Sequence, residues 1–268
     1  MPAKSSLLNF NAPVTQASLS SAIQAGMAKA GFTALFDQTT SSAGLLSLVY
    51  QLVLDDSPTG TVFLEIQISS ALGIQQRFCQ TWNTITKAPG ANVGTLSNSV
   101  TFVAGSNFQI VAIDHPECRE IIITQATTST SIETVLGYLR PAEIPEWWRR
   151  DIYPFVFMMS SPSNNNFALL GFAGALSPFN SNSYSLLSIP QLAGANSANS
   201  NKVSVLSGLE MVLTGTNQGE VGKFSAEVAV CASTNQRRGE VLNTGTTGFF
   251  VIVNSGAGGM GILSNIPA

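Results

Sequence analysis

Charge is scarce in this sequence. Only 10% of its 268 residues are Asp, Glu, Lys or Arg, against roughly 25% in an ordinary soluble domain. Residues 152–201 hold no charged side chain at all. A free monomer ordinarily keeps its surface charged to stay dispersed. A chain that gives charge up over such a length is expected to be covered by neighbours in an assembly, or else to carry a solvated Ser/Asn-rich surface. Histidine is scarcer still: His115 stands alone. That removes most nucleophilic triads and leaves any metal site to rest almost wholly on carboxylates. Cys79, Cys118 and Cys231 are odd in number and widely spaced, which is no disulfide framework; small buried thiols are expected. The net charge is −3 and the longest basic cluster is a pair, so no nucleic-acid footprint is expected. No apolar run approaches the roughly 18 residues that span a bilayer. The opening MPAKSSLLNFNAP lacks the apolar core of a signal peptide, so folding in a cytoplasm is expected.

What the chain does contain is a rhythm of short apolar runs and small-residue turns. Residues 16–30 give the best helical pattern, with Leu19, Ile23 and Met27 at i, i+4 and i+8, Ser18 as expected cap and Gly31 as stop; a single helical turn is also expected over 146–151. Residues 45–56 and 61–70 flank Ser57-Pro58-Thr59-Gly60, and Val62, Leu64, Ile66 and Ile68 alternate with Glu65 and Gln67. That predicts a β-hairpin. Residues 78–82 form a short aromatic strand candidate, and residues 87–98 a loop. Residues 100–103 and 108–113 are expected to pair across Gly105-Ser106-Asn107, and residues 121–124 and 134–139 follow. In the second half, runs at 154–159, 167–174, 203–213, 222–232, 240–242 and 248–254 are strand candidates, with a long Ser/Asn loop at 177–201.

The pattern predicts a mainly β fold. Two sandwich- or barrel-like halves would be joined by a Pro/Trp-rich crossing, with one N-terminal helix. The expected organisation is an arm and helix over 1–36, a first β-rich half over 37–140, and a second over 141–268 with a glycine-rich tail.

Each chemical motif is incomplete. Gly256 to Gly261 fits G-x-G-x-x-G, but only seven residues follow Gly261, too few for the helix, strand and acid that a dinucleotide site needs. Asp114-His115-Pro116-Glu117-Cys118 contains H-x-E, yet the P-C-x-x-C pair of zinc deaminases is missing. A β-turn built on Asp114 and Pro116 is the plainer expectation. Asp55 with Asp56, or Glu143 with Glu146, could be offered as a glycosidase pair; the first sits in a hairpin turn, and the second beside Arg140, Arg149 and Arg150, where ion pairing is expected. No catalytic residue, cofactor site or metal site is therefore assigned, and a non-enzymatic role is expected.

The stretch 136–157 (LGYLRPAEIPEWWRRDIYPFVF) concentrates the anchoring side chains. Pro141, Pro145 and Pro154 stiffen the backbone. The aromatic set Trp82, Tyr138, Trp147, Trp148 and Tyr153, with Arg149 and Arg150, forms the candidate interface or ligand contact, because Trp and Tyr combine large area with a polar tip. Its alternative is an aromatic core seam.

The pattern L-G-Y-L-R-P-A-x-x-P-x-W-W, followed by Y-P-F, resembles a stretch of virion structural proteins of tailed, cyanophage-like bacteriophages, of the tail, fibre or baseplate type. This resemblance covers about 20 residues and carries no active-site residue. It implies a structural subunit of the tail apparatus, located in the virion, packing against other virion proteins and against copies of itself. The alternative it leaves is a carbohydrate-binding module that recognises a host surface glycan.

Overall fold

The computed structural model describes residues 3–140 except 12, 33, 54–60, 91–92, 95, 98 and 128–130. It also describes 142–143 and, further on, the backbone of strands between 158 and 265. The chain is mainly β with one helix among the described residues. The first part runs β1 (Ala3–Phe10), α1 (Gln16–Lys29), β2 (Leu35–Thr40), β3 (Leu46–Val53), β4 (Thr61–Ile68) and β5 (Gly73–Cys79). It continues with β6 (Trp82–Asn83), β7 (Ala88–Pro89), β8 (Val100–Thr101), β9 (Phe108–His115), β10 (Cys118–Ala126) and β11 (Ser131–Leu139). Later strands are β12 (Met158–Met159), β13 (Asn166–Ala168), β14 (Ser183–Leu186), β15 (Val205–Ser207) and β16 (Glu210–Leu213). The last are β17 (Glu220–Lys223), β18 (Val228–Cys231), β19 (Val241–Asn243), β20 (Phe249–Asn254) and β21 (Gly259–Asn265).

Among the described residues these strands form three main sheets. One runs β2-β3-β4-β5-β8, a second β12-β13-β14-β16-β17, and the largest β11-β10-β9-β1-β21-β18-β15 with β19 and β20 attached. β6 and β7 pair with each other. The predicted hairpin is β3–β4, antiparallel with Val53 opposite Thr61. The predicted pairing of residues 100–103 with 108–113 does not form: β8 joins β5, whereas β9 joins β1 and β10. The connection between β8 and β9 is instead pinned by Gln125, whose amide donates to the carbonyls of Val103 (2.9 Å) and Ser106 (3.0 Å) and accepts from the Val103 N–H at 2.7 Å.

Two further expectations change at the ends of the chain. Residues 3–10, read as part of an arm, form β1, antiparallel to β9 over seven residue pairs. Residues 259–265, read as tail, form β21, parallel to β1 with Ala3 opposite Ser264. In β21, Gly259 and Gly261 lie opposite Cys231 and Ala229 of β18. Within the G-x-G-x-x-G match, Gly259 to Gly261 are extended strand, and Gly256 to Gly258 lie outside the described residues.

The helix follows its sequence pattern. Leu19, Ile23 and Met27 are fully buried. The cap is Thr15, not Ser18: Thr15 accepts from the Ser18 N–H while Ser18, at the third helical position, accepts from the Thr15 N–H. Polar residues at both positions make a reciprocal box, which a single-residue reading assigns to the wrong partner. Gly31 ends the helix at φ 83°, as αL stops do. Gly26 brings α1 onto β9 and β10, since a Cβ there would stand 2.9 Å from the Ile110 Cγ2. Leu48, Leu64 and Ile66 on one sheet and Ile110, Ala112, Ile121 and Ile123 on the other belong with the helix to one core cluster. Each such large side chain contributes about 1.5–3 kcal/mol by leaving water.

The two sheets also meet through a glutamine. Gln76 on β5 is fully buried; its amide donates to the Val135 carbonyl at 2.8 Å and accepts from the Gly137 N–H at 2.9 Å. β11 ends its sheet, and a side-chain amide here satisfies backbone groups that a further strand would otherwise take. Gly137 has φ 129°, and any Cβ would run into the Arg119 carbonyl.

Candidate interaction site

The outward face of the β2-β3-β4-β5 sheet is partly roofed by the β6–β7 hairpin. Val49, Phe63, Cys79 and Trp82 form a small apolar cluster there, with Val93 against it. Register explains which residues of β2 reach this face. Leu35 lies opposite Tyr50 and Asp37 opposite Val49, so Phe36 is the extra residue of a β-bulge. Tyr50 faces the main core and Val49 the outer cluster. The bulge thus lets both Phe36 and Asp37 act on the outer side; bulges re-aim side chains in this way. The Phe36 ring tilts against Phe63 at 4.9 Å and 59°, and 39% of Phe36 remains exposed.

Asp37 clasps the hairpin. Its carboxylate accepts from the Trp82 indole N–H at 2.7 Å, the Lys87 ammonium at 2.5 Å and the Gln38 N–H at 2.9 Å. Burial alone would raise its pKa, but the bonds from Lys87 and Trp82 outweigh it and hold the carboxyl below its ordinary range. Between the two clasped residues, Asn83 Oδ1 accepts from the Ile85 N–H at 2.9 Å and the Thr86 N–H at 3.0 Å, a side-chain turn typical of Asn. Lys87 closes the loop at φ 55°. The result is a short, braced projection with Ile85 at its tip, 90% exposed.

A buried carboxylate supports the same sheet. Glu65 accepts from Ser47 Oγ and Gln67 Nε2, both at 2.9 Å, and from Arg77 Nε at 2.5 Å. Beside it, the Cys79 thiol is pushed up to about 12 by burial and by the Glu65 charge, against the opposing pull of Arg77. That thiol is a packing group and a poor nucleophile, since reactivity needs the thiolate. This surface holds side chains in place rather than activating one.

The His115 cluster forms the tight β9–β10 hairpin, as the turn residues predict. His115 is buried, and its Nδ1 accepts from the Glu117 N–H at 3.2 Å; the neutral ring consequently carries its proton on Nε2. Cys118 is buried and its thiol pKa is raised by that burial and by Glu120 and Glu117. Asp114 pairs with Arg119 at 3.3 Å. Among the described residues no group of three or more His, Cys, Asp and Glu could hold a metal ion.

Of the aromatic–arginine set, the structure describes two members, and they lie apart. Tyr138 is in the main core, edge-on to Phe32 at 6.1 Å. Trp82 is buried at the clasp. Tyr138 belongs to the main core and Trp82 to the separate outer cluster, so these two form no common seam. Trp147, Trp148, Arg149, Arg150 and Tyr153 lie outside the described residues, as do Asp55, Asp56 and Glu146; Glu143 is exposed. Phe36, Asp37, Lys87 and Ile85 were not singled out from sequence. The Asn-Thr-Ile-Thr run was the available signal for the turn, whereas a bulge leaves none.

No family model, no curated protein and no solved structure matches this chain. No helix among the described residues is long and apolar enough to cross a membrane.

Proposed function

We propose that the protein is a non-enzymatic structural subunit of a tailed-phage virion, placed in the tail apparatus and acting by packing against other subunits. The observation that carries this reading is what the surface offers. Leu7, Phe36, Val53, Ile85 and Val103 are large apolar side chains left exposed, on a chain with only 10% charged residues. Polar groups are turned inward: Gln16, Gln75, Gln76 and Gln125 all bind backbone carbonyls. Neutral staples inside and apolar points outside suit a subunit whose surface is covered after assembly. The aromatic–arginine stretch at 136–157 supplies the phage-tail likeness. Mass spectrometry of purified particles tests the proposal: the chain is expected at a fixed copy ratio to the other virion proteins. Its presence in infected-cell lysate together with its absence from particles overturns it.

A further inference from the structure

We propose that β1 is an exchangeable strand, and that the slot between β9 and β21 accepts β1 from a second copy of this chain. This deepens the structural-subunit reading and rests on it. The slot is defined on both sides: β9 pairs with Lys4 to Phe10, and β21 with Ala3 and Lys4. Strand β1 is held there mainly by backbone. Of its side chains from Lys4 onward only Ser5 is buried, Leu7 is 58% exposed, and Lys4 and Asn9 are exposed. The apolar hold is confined to Leu8 and Phe10, which pack at the margin of the core, Phe10 stacking on Phe108 at 5.0 Å and 14°.

A strand held by ladder bonds and two partly buried side chains loses nothing when an identical strand replaces it, because every bond is remade on the same partner. Only the connection changes. Residues 11–15 link β1 to the capped start of α1; Val14 there is buried in the core and Thr15 caps the helix, so the part free to re-aim lies before Val14, where Asn11 and Pro13 are exposed. Extended, the three residues 11–13 reach roughly 10 Å, enough to turn β1 out of its own sheet toward a copy packed directly against it. Pro13 disfavours helix at the residue before it, so α1 does not grow back through the link. The occupant is a second copy rather than an unrelated strand because the slot reads side chains. Gln109 Nε2 donates to Asn9 Oδ1 at 2.8 Å, and Phe10 must meet Phe108.

Cross-strand disulfides distinguish the two arrangements. Asn9 and Gln109 are register partners on the exposed face. In N9C/Q109C the bond closes within a chain when β1 stays home and between chains when it is exchanged. In separately purified N9C and Q109C, refolded together at high concentration and oxidised, exchange holds position 9 of one chain opposite position 109 of the other, whereas chance collision of exposed thiols joins like and unlike variants equally. The expected result is an interchain dimer in the mixture, above the level given by either variant alone, and interchain multimers of N9C/Q109C on a non-reducing gel. A double variant that runs only as monomer, with no mixed dimer, overturns the exchange. If the chain is then still found in particles, the structural-subunit reading stands without it.

Discussion

Asp37 carries a pH dependence whose sign follows from its partners. Its folded pKa lies below the ordinary value of 3.8, so the charged form is favoured in the folded state. The stability it contributes is present above that ordinary value and is lost as pH falls through it toward the folded one. Melting temperature is expected to fall more between pH 5 and 3 for the wild type than for D37N, which lacks the titrating group; parallel curves would remove Asp37 as the cause. Tyr50 makes the opposite kind of test. Its ring is buried, edge-on to Phe32 at 5.6 Å, and its hydroxyl has no hydrogen-bond partner among the described residues. Burying a hydroxyl unpaired costs about 1–3 kcal/mol. Y50F is expected to leave stability unchanged or raise it by about 1 kcal/mol in urea unfolding, and a loss of that size would reveal a partner.

Gln76 acts on two elements at once. Q76M keeps the volume but leaves the Val135 carbonyl and the Gly137 N–H unpaired, which is expected to cost about 3 kcal/mol. The exposed Q38M on β2 is expected to change stability by less than about 0.5 kcal/mol; chemical denaturation of the two variants side by side makes the comparison. Elements with a strong period were legible in the sequence. The helix announced itself through Leu19, Ile23 and Met27, and the β3–β4 hairpin through alternation around Pro58-Thr59-Gly60. β1 was not legible because Ser-Ser-Leu-Leu has no period of two, and its slot is made by β9 and β21, which lie far away in the chain. β21 was hidden because its glycines read as freedom, whereas a strand flanked on both sides tolerates them. Of the candidate site, Trp82 was named but its role was not. The bulge that sends Asp37 to its indole depends on register, which no local pattern encodes.

At the scale of the molecule, the helix and two sheets share a core, and Gln76 crosses between the sheets, so they should open together. Cys79 sits in one sheet and Cys118 in the other, both buried. Neither is expected to react with a thiol reagent at pH 8 in the native protein. In increasing urea both should become labelled at the same denaturant concentration, followed peptide by peptide in a mass spectrometer; Cys79 labelling first would show that the β2-β3-β4-β5 sheet unfolds on its own.

The neighbours of β1 also set a timetable for synthesis. β1 leaves the ribosome before both of its partners: β9 follows after roughly a hundred residues, and the parallel partner of Ala3 is Ser264. One flank of that strand therefore stays bare until residues roughly 260 positions further along have been made. Pairings so distant in sequence form slowly and leave unpaired backbone exposed meanwhile. In a cell making many copies at once, each nascent chain waits beside others in the same state, and a holding chaperone that shields the bare flank would govern how much of the product reaches its final form.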